Sequence, residues 1–441
     1  MRGVEAFVHE TRFADLTAPV RRATVRGLTD TLGVAIAGSA TKLSAIVRDH
    51  AASQFGAGEG GGASLWCDGR RVSAAGAALA NAMTIDALDA HDGFKPVKGH
   101  IGCAVVAGTL AMAEALGVED PADVLAAIAV GYETGARAGM ALHATAADYH
   151  TSGAWVSLAV AACGARLMGL DGAATREALG IAEYHGPRSQ MMRCIAHPTM
   201  VKDGSGWGAM AGVSAAYLAR DGFTGAPAVT VEGADVADVW ADLGTRWYVT
   251  EQYIKPWPVC RWAQPAVQAV LDLKRAHSFA AEEVERIEVA TFAEAVALAG
   301  AAPATTEEAQ YAIAFPVAVA CLHGTVLPGH IEGDGLLDRA ALALAARVDL
   351  SAQARFDAHF PARRLARVTL RLADGRTLVS ADTESAGDPE NPLEEAEVDA
   401  KFLTLVSPVQ GDGGARELLT LCRDLPNAAS TAPLWQMLAK G

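Results

Sequence analysis

Apolar residues recur at helical spacing almost from the start of the chain. Val25, Leu28, Leu32 and Ile36, set among small residues, predict an amphipathic helix over 18–40, and a second helix is predicted over 41–55. The glycine run from Gly56 to Gly62 predicts a loop, and the strand-like segment ASLWCDG leads from it into an alanine-rich helix. Ser73 is the expected N-cap of that helix, and Gly93 supplies the positive φ expected to end it. Residues 102–116 carry almost no charge, which predicts a helix buried on all sides. Asp120 and Pro121 form an N-cap and N1 pair that starts a helix running to about Met140. Another helix is predicted from Gly153 to Leu170, and Asp171 caps one that ends near Tyr184. This succession predicts an all-helical bundle for about the first 265 residues.

The period changes after Lys274. VERIEVATF alternates around Ile287 and Val289, and ARVTLRLADGRTLVSADT alternates around Val368, Leu370 and Leu372. Asp374-Gly375 lies between two such runs and predicts a hairpin. The segment from about 275 to 395 therefore reads as a smaller α+β lobe, and the tail from Glu394 to about Ala439 returns to a helical pattern. The fold class expected is mainly α: a large all-helical domain from 1–270 and 395–441, with an α+β domain inserted at 271–394.

A chain of 441 residues, 51% of them hydrophobic, can bury the cores of two domains. A net charge of −15 repels nucleic acid and anionic membranes, so an anionic substrate needs a local basic pocket. There is no long uncharged apolar run, nor a basic N-terminus followed by an apolar stretch, so neither a membrane span nor a secretory signal is expected. The seven cysteines are scattered and form no C-x2-C pair. They point to a reduced, cytoplasmic protein without disulfides, structural zinc or an iron–sulfur cluster.

The chemistry concentrates between Asn81 and Gly102, in NAMTIDALDAHDGFKPVKGHIG. Asp86, Asp89 and Asp92 fall three apart, near one face of the last two turns of the predicted helix. A carboxylate near a helix C-terminus opposes the macrodipole by about 0.3–1 kcal/mol, so the arrangement breaks a local rule and points to a site. His91, Lys95, Lys98 and His100 converge on the same stretch. The ordinary alternative is a solvated helix end whose acids pair with Lys95 and Lys98. Carboxylates and imidazoles at Asp89, His91, Asp92 and His100 could also coordinate a metal, but their spacing fits no closed site, and no metal is expected.

The pattern NA…ALDxxDG…GH, followed by a small-residue helix and by LAMAEALG from Leu110 to Gly117, resembles the signature of the MmgE/PrpD family. So do GDPENPL, from Gly387 to Leu393, and Lys401-Phe402. That family includes 2-methylcitrate dehydratases, cis-aconitate decarboxylases and an iminodisuccinate epimerase. The resemblance implies a helical domain built from both chain ends, an inserted α+β domain, and a homodimer. It also implies catalytic roles for Asp89, His100, His150 in DYHTSGAW, Lys202 in TMVKDGSGWGAMAG, and Lys255 in YIKPWPVCRW. His91, Asp92, Lys98, Arg188, Arg261 and Phe315 are the substrate-binding candidates, with Arg193 a further guanidinium that could clamp a carboxylate or pair structurally.

Such a set suits proton transfer at carbon next to a carboxylate. A positioned base removes the proton, and lysines stabilise the enolate-like charge that develops. His100, just ahead of a helix N-terminus, is the expected neutral base. No cofactor is expected, so the reaction must run on acid–base chemistry: a hydro-lyase acting on a small di- or tricarboxylate, or alternatively an epimerase of an aspartate- or succinate-like acid, a decarboxylase, or a carboxylate-binding protein without turnover. Departures from the family pattern occur at Asp86, Gly93, Ile101 and Phe315. Gly93 stands where a threonine or serine is usual and Phe315 where a tyrosine is expected, so two hydroxyls are expected to be missing from the site.

Overall fold

The computed structural model describes residues 3–58, 60–298 and 300–440. Its body is helical. Ala18–Gly38, Lys42–Gln54, Ala74–Asp86, Gly102–Leu116, Pro121–Thr145, Gly153–Leu167, Gly172–His185 and Ser205–Arg220 follow one another with short connections. The predicted caps act as read from the sequence. Ser73 accepts from the Gly76 N–H at 3.2 Å, Asp120 from Ala122 at 2.9 Å, and Asp171 from Ala174 at 2.8 Å. The helices approach closely because small residues face one another. A Cβ at Gly212 would stand 2.4 Å from the Ser157 carbonyl oxygen on the neighbouring helix.

The chain ends close this body. Glu395–Asp424, kinked at Gly411, packs against Ala18–Gly38 and delivers Phe402, Leu405 and Leu418 to the same core as Leu28 and Leu32. Between these parts lies the α+β lobe. Its sheet runs Val348–Ala352, Val284–Thr291, Arg367–Leu372, Thr377–Val379 in spatial order. The Asp374-Gly375 turn joins the last two strands as an antiparallel hairpin, with Gly375 at φ 87°. Val348–Ala352 was not read from the sequence. It pairs parallel to Val284–Thr291, and its exposed alternate positions leave little apolar signal. The lobe has its own core, which takes Val267, Val270 and Leu273 from the helix Gln264–Ala276 as well as Ile287, Val289, Phe315 and Val368. No helix among the described residues is long and apolar enough to cross a membrane.

The crossing from body to lobe fixes the site. Tyr253 and Gly93 exchange backbone hydrogen bonds at 3.1 and 2.8 Å, and the Ile254 N–H donates to the Gly387 carbonyl at 3.0 Å. The outgoing segment at 253–255 is thus stitched both to the loop after the acidic helix and to the returning chain.

Candidate active site

The acidic stretch does not form the helix end expected of it. The helix stops at Asp86, and the left-handed residue is Asp89, at φ 51°, not Gly93. The three carboxyls therefore fan out to different partners instead of sharing one helical face. Nor are they solvated: Asp86, Asp89 and Asp92 are all buried. Lys95 pairs instead with Asp388 and Glu390, and the Lys98 ammonium rests 3.7 Å from the centre of the Tyr149 ring.

Asp89 is held by Lys255, whose ammonium donates to its carboxylate at 2.5 Å and to its backbone carbonyl at 2.8 Å. These two bonds to one residue are the reason the strained backbone at Asp89 persists. Burial alone would raise the Asp89 carboxyl, but Lys255, Lys202 and His100 outweigh it and hold it below the ordinary carboxylate value. Lys202, itself left-handed at φ 47°, is buried and donates to Gln310 Oε1, while Gln310 is oriented by its own bond to the Ala87 carbonyl at 2.7 Å.

His100 is fixed by a backbone acceptor. Its Nδ1 lies 2.6 Å from the Asp92 carbonyl oxygen, and its backbone N–H donates to Ser152 Oγ at 2.8 Å. Burial, aided by the Lys255 charge, lowers its pKa to about 3, so the imidazole is neutral at physiological pH. Its Nε2 stands 3.7 Å from Asp89 Oδ1 and 3.8 Å from Asp203 Oδ2. At those distances it bonds to neither.

Asp203 was not read from the sequence, although it follows Lys202 directly. It is buried, accepts from Ser152 Oγ at 2.6 Å, and is raised to about 7 by burial and by the charge of Asp86. A carboxyl at this value holds a proton over much of the neutral range. Asp86 is raised to about 6 by burial, and His91 faces it at 3.8 Å with both ring nitrogens unpartnered. Asp92 turns away from the cluster to accept from Tyr132 at 2.6 Å.

The cleft beside this cluster is lined by Asp89, Lys98, His100, Asp203, Tyr253, Lys255, Trp262, Tyr311 and Arg364, among others. A wider cavity of about 540 Å³ is lined by Lys202, the neighbour of Asp203 in sequence, with Arg193, His197 and Trp207. Asp89, His100, Lys202 and Lys255 are thus brought together. Other candidates lie elsewhere. His150 is half-buried outside the cleft lining, its N–H bonded to His143 Nε2 at 3.2 Å. Arg188 is exposed and is not among the residues that line the cleft. Arg261 does line the cleft, but its guanidinium is committed to Gln264, Ser385, Ala386 and Asp388, so it braces the wall. Phe315 is fully buried in the lobe core, and the phenols at the cleft belong to Tyr253 and Tyr311. The glycine at 93 also has a structural cause, because a Cβ there would stand 2.3 Å from the Tyr253 phenol oxygen. Tyr253 fills the space that a threonine or serine side chain would take.

Among the described residues, Asp89, His91 and His100 offer donor atoms within 4.8 Å of one another, the spacing of a metal site. Lys255 already neutralises Asp89 and Lys202 adds a second fixed positive charge, so a third cation would meet repulsion there.

A helical body with a small α+β lobe, carrying a buried lysine–carboxylate–imidazole cluster at their junction, defines the class of protein. Residues 4–242 match the MmgE/PrpD N-terminal domain and residues 257–425 the MmgE/PrpD C-terminal domain, and the chain belongs to this family. It is also similar to a cis-aconitate decarboxylase-like protein of Aspergillus oryzae, at 25% identity over 388 residues that cover 77% of each chain.

Proposed function

We propose that this protein is a cofactor-independent lyase of the hydro-lyase type, acting on a small di- or tricarboxylate. The observation that carries the reading is geometric: an imidazole whose tautomer is fixed by a backbone acceptor stands beside a buried carboxyl whose pKa burial raises. The carbonyl of Asp92 can only accept, so Nδ1 of His100 carries the proton and Nε2 presents a lone pair. Asp203 Oδ2, 3.8 Å away, belongs to the carboxyl raised to about 7. Base and acid thus stand side by side, facing one substrate.

In the proposed reaction, Nε2 of His100 takes the proton from the carbon next to a carboxylate, and Lys255 and Lys202 stabilise the enolate charge. The C–O bond at the neighbouring carbon then breaks, its electron pair leaving with the hydroxyl, which takes the Asp203 proton and departs as water. The carbanion pair becomes the new C=C bond. His100 is left protonated and Asp203 ionised, and transfer of one proton between them restores the site.

Decarboxylation is the second reading, favoured by the name of the Aspergillus relative. There the carbanion left by carbon dioxide would be protonated by Asp203. Proton NMR in deuterium oxide, with citrate-like, aconitate-like and aspartate-derived acids and a Lys202→Ala control, separates the readings. New olefinic signals with loss of water support the hydro-lyase, and loss of carbon dioxide supports the decarboxylase. Deuterium entering one carbon without a new product would replace both with an epimerase.

A further inference from the structure

Arg364 is 2% exposed, and its Nε and Nη1 are buried without a hydrogen-bond partner. An arginine cannot shed its charge, so an unpaired buried guanidinium is costly unless something outside the chain completes it. The lobe does supply acids to arginines around it: Arg261 pairs with Asp388, Arg363 with Glu384 and Arg367 with Asp382. Among the described residues, Arg364 has no such ion pair. It lines the same narrow cleft as His100 and Lys255, with its guanidinium carbon 5.5 Å from the centre of the Tyr253 ring. Lys98 lines that cleft too, its ammonium set over the Tyr149 ring. The cleft therefore has two unlike ends. Asp89, Asp203, His100 and Lys255 stand close to one another at the first, whereas at the second the charges of Lys98 and Arg364 repel, and Glu294, which partly offsets Lys98, is not among the residues lining the cleft.

We propose that Arg364 receives a second carboxylate of the substrate and is the residue that makes this protein select di- or tricarboxylates over monocarboxylates. This rests on the lyase reading, which places the reacting carbon and its own carboxylate at the His100 and Lys255 end. A guanidinium suits the task because it can offer parallel N–H donors to both oxygens of a carboxylate. The lobe thereby contributes specificity, while the helical body contributes the base.

The test is calorimetric binding of succinate and of succinamate, its monoamide, to the wild-type protein, Arg364→Lys and Arg364→Gln. The expected result is a preference for succinate of about tenfold or more in the wild type, as charge-assisted hydrogen bonds give. Arg364→Gln should bring the two affinities together by weakening succinate alone, and Arg364→Lys should fall between. The ligand-free melting temperature of Arg364→Gln should not fall, because two of the nitrogens removed have no partner to lose. Absence of a succinate preference in the wild type, an unchanged ratio in Arg364→Gln, or equal loss of both ligands with a lowered melting temperature would each overturn the assignment. Failure of the lyase reading looks different: no turnover in the wild type, with the binding ratio still dependent on Arg364.

Discussion

The Nδ1 of His100 lies 2.6 Å from the carbonyl oxygen of Asp92. One hydrogen bond to the backbone thus decides which face of the ring is basic, without a carboxylate behind it to raise the affinity for a proton. The neighbouring groups extend the effect. Burial and the Lys255 charge keep the ring neutral, while the Asp89 carboxylate, 3.7 Å from Nε2, favours the imidazolium once it forms.

His100→Gln tests this directly. The amide can keep the bond to the Asp92 carbonyl, so the loop should hold its shape, but no lone pair of comparable basicity remains. Turnover should fall by about a hundredfold to ten-thousandfold, with KM changed far less. Equal loss in kcat/KM and in binding of a non-reacting analogue would move His100 from base to binding group.

Lys255 and Asp89 form a buried pair, with side chains 1% and 2% exposed. Breaking one partner leaves the other charged and unpaired, so Lys255→Met should destabilise the protein by about 3–5 kcal/mol in urea unfolding. Adding Asp89→Asn should restore part of that loss, giving a coupling energy of about 1–3 kcal/mol. Strict additivity of the two changes would show that the pair is not a structural unit.

Local chemistry was legible in the sequence wherever one side chain meets its own backbone. Ser73, Asp120 and Asp171 cap as read, and Asp374-Gly375 turns the hairpin. The end of the acidic helix was not legible, because a lysine 166 residues away holds Asp89 in its left-handed turn. Asp89, His100, Lys202 and Lys255, matched from the text of the family, lie near one another in the fold. It did not distinguish Arg364 from Arg363 beside it, since only the tertiary fold decides which of two adjacent arginines is buried. The two hydroxyls expected to be missing have a related tertiary cause. Tyr253 occupies the space at Gly93, and Tyr311 faces the cleft while Phe315 faces the core. Asp203 had a signal that passed unused: an acid beside a lysine, opening a run of glycine and serine ahead of an apolar helix.

The contact between Gly93 and Tyr253 predicts an asymmetric pair of variants. Gly93→Ala brings a methyl to within 2.3 Å of the Tyr253 ring, and overpacking of this kind costs about 1–3 kcal/mol. Gly93→Thr in a Tyr253→Leu background should fold better than Gly93→Thr alone, because the ring that excludes the side chain is gone. Thermal melts of Gly93→Ala, Gly93→Thr, Tyr253→Leu and the double variant against the wild type decide it. Equal destabilisation by Gly93→Thr in both backgrounds would mean that the backbone, not the ring, selects glycine.

Asp86 and Asp203 fix the pH dependence. Burial raises both carboxyls, to about 6 and about 7, with the charge of Asp89 adding to the rise at Asp86 and the charge of Asp86 adding to the rise at Asp203, so the titration of one bears on the other. The folded protein keeps these protons to higher pH than the unfolded chain does. The contribution to stability is therefore complete below the ordinary carboxylate range of about 4, and is lost as pH rises through the folded values. The acid function has the same sign, because the proton that Asp203 donates is the one lost. The alkaline limb of kcat/KM should fall near pH 7 in the wild type. Asp86→Asn removes the neighbouring charge, lowers the Asp203 pKa, and should shift that limb to lower pH. Asp203→Asn should abolish most turnover yet gain stability over the wild type as pH rises from about 4 to about 7, since an amide has no charge to bury. An alkaline limb that stays in place in Asp86→Asn would show that a group other than Asp203 supplies the proton.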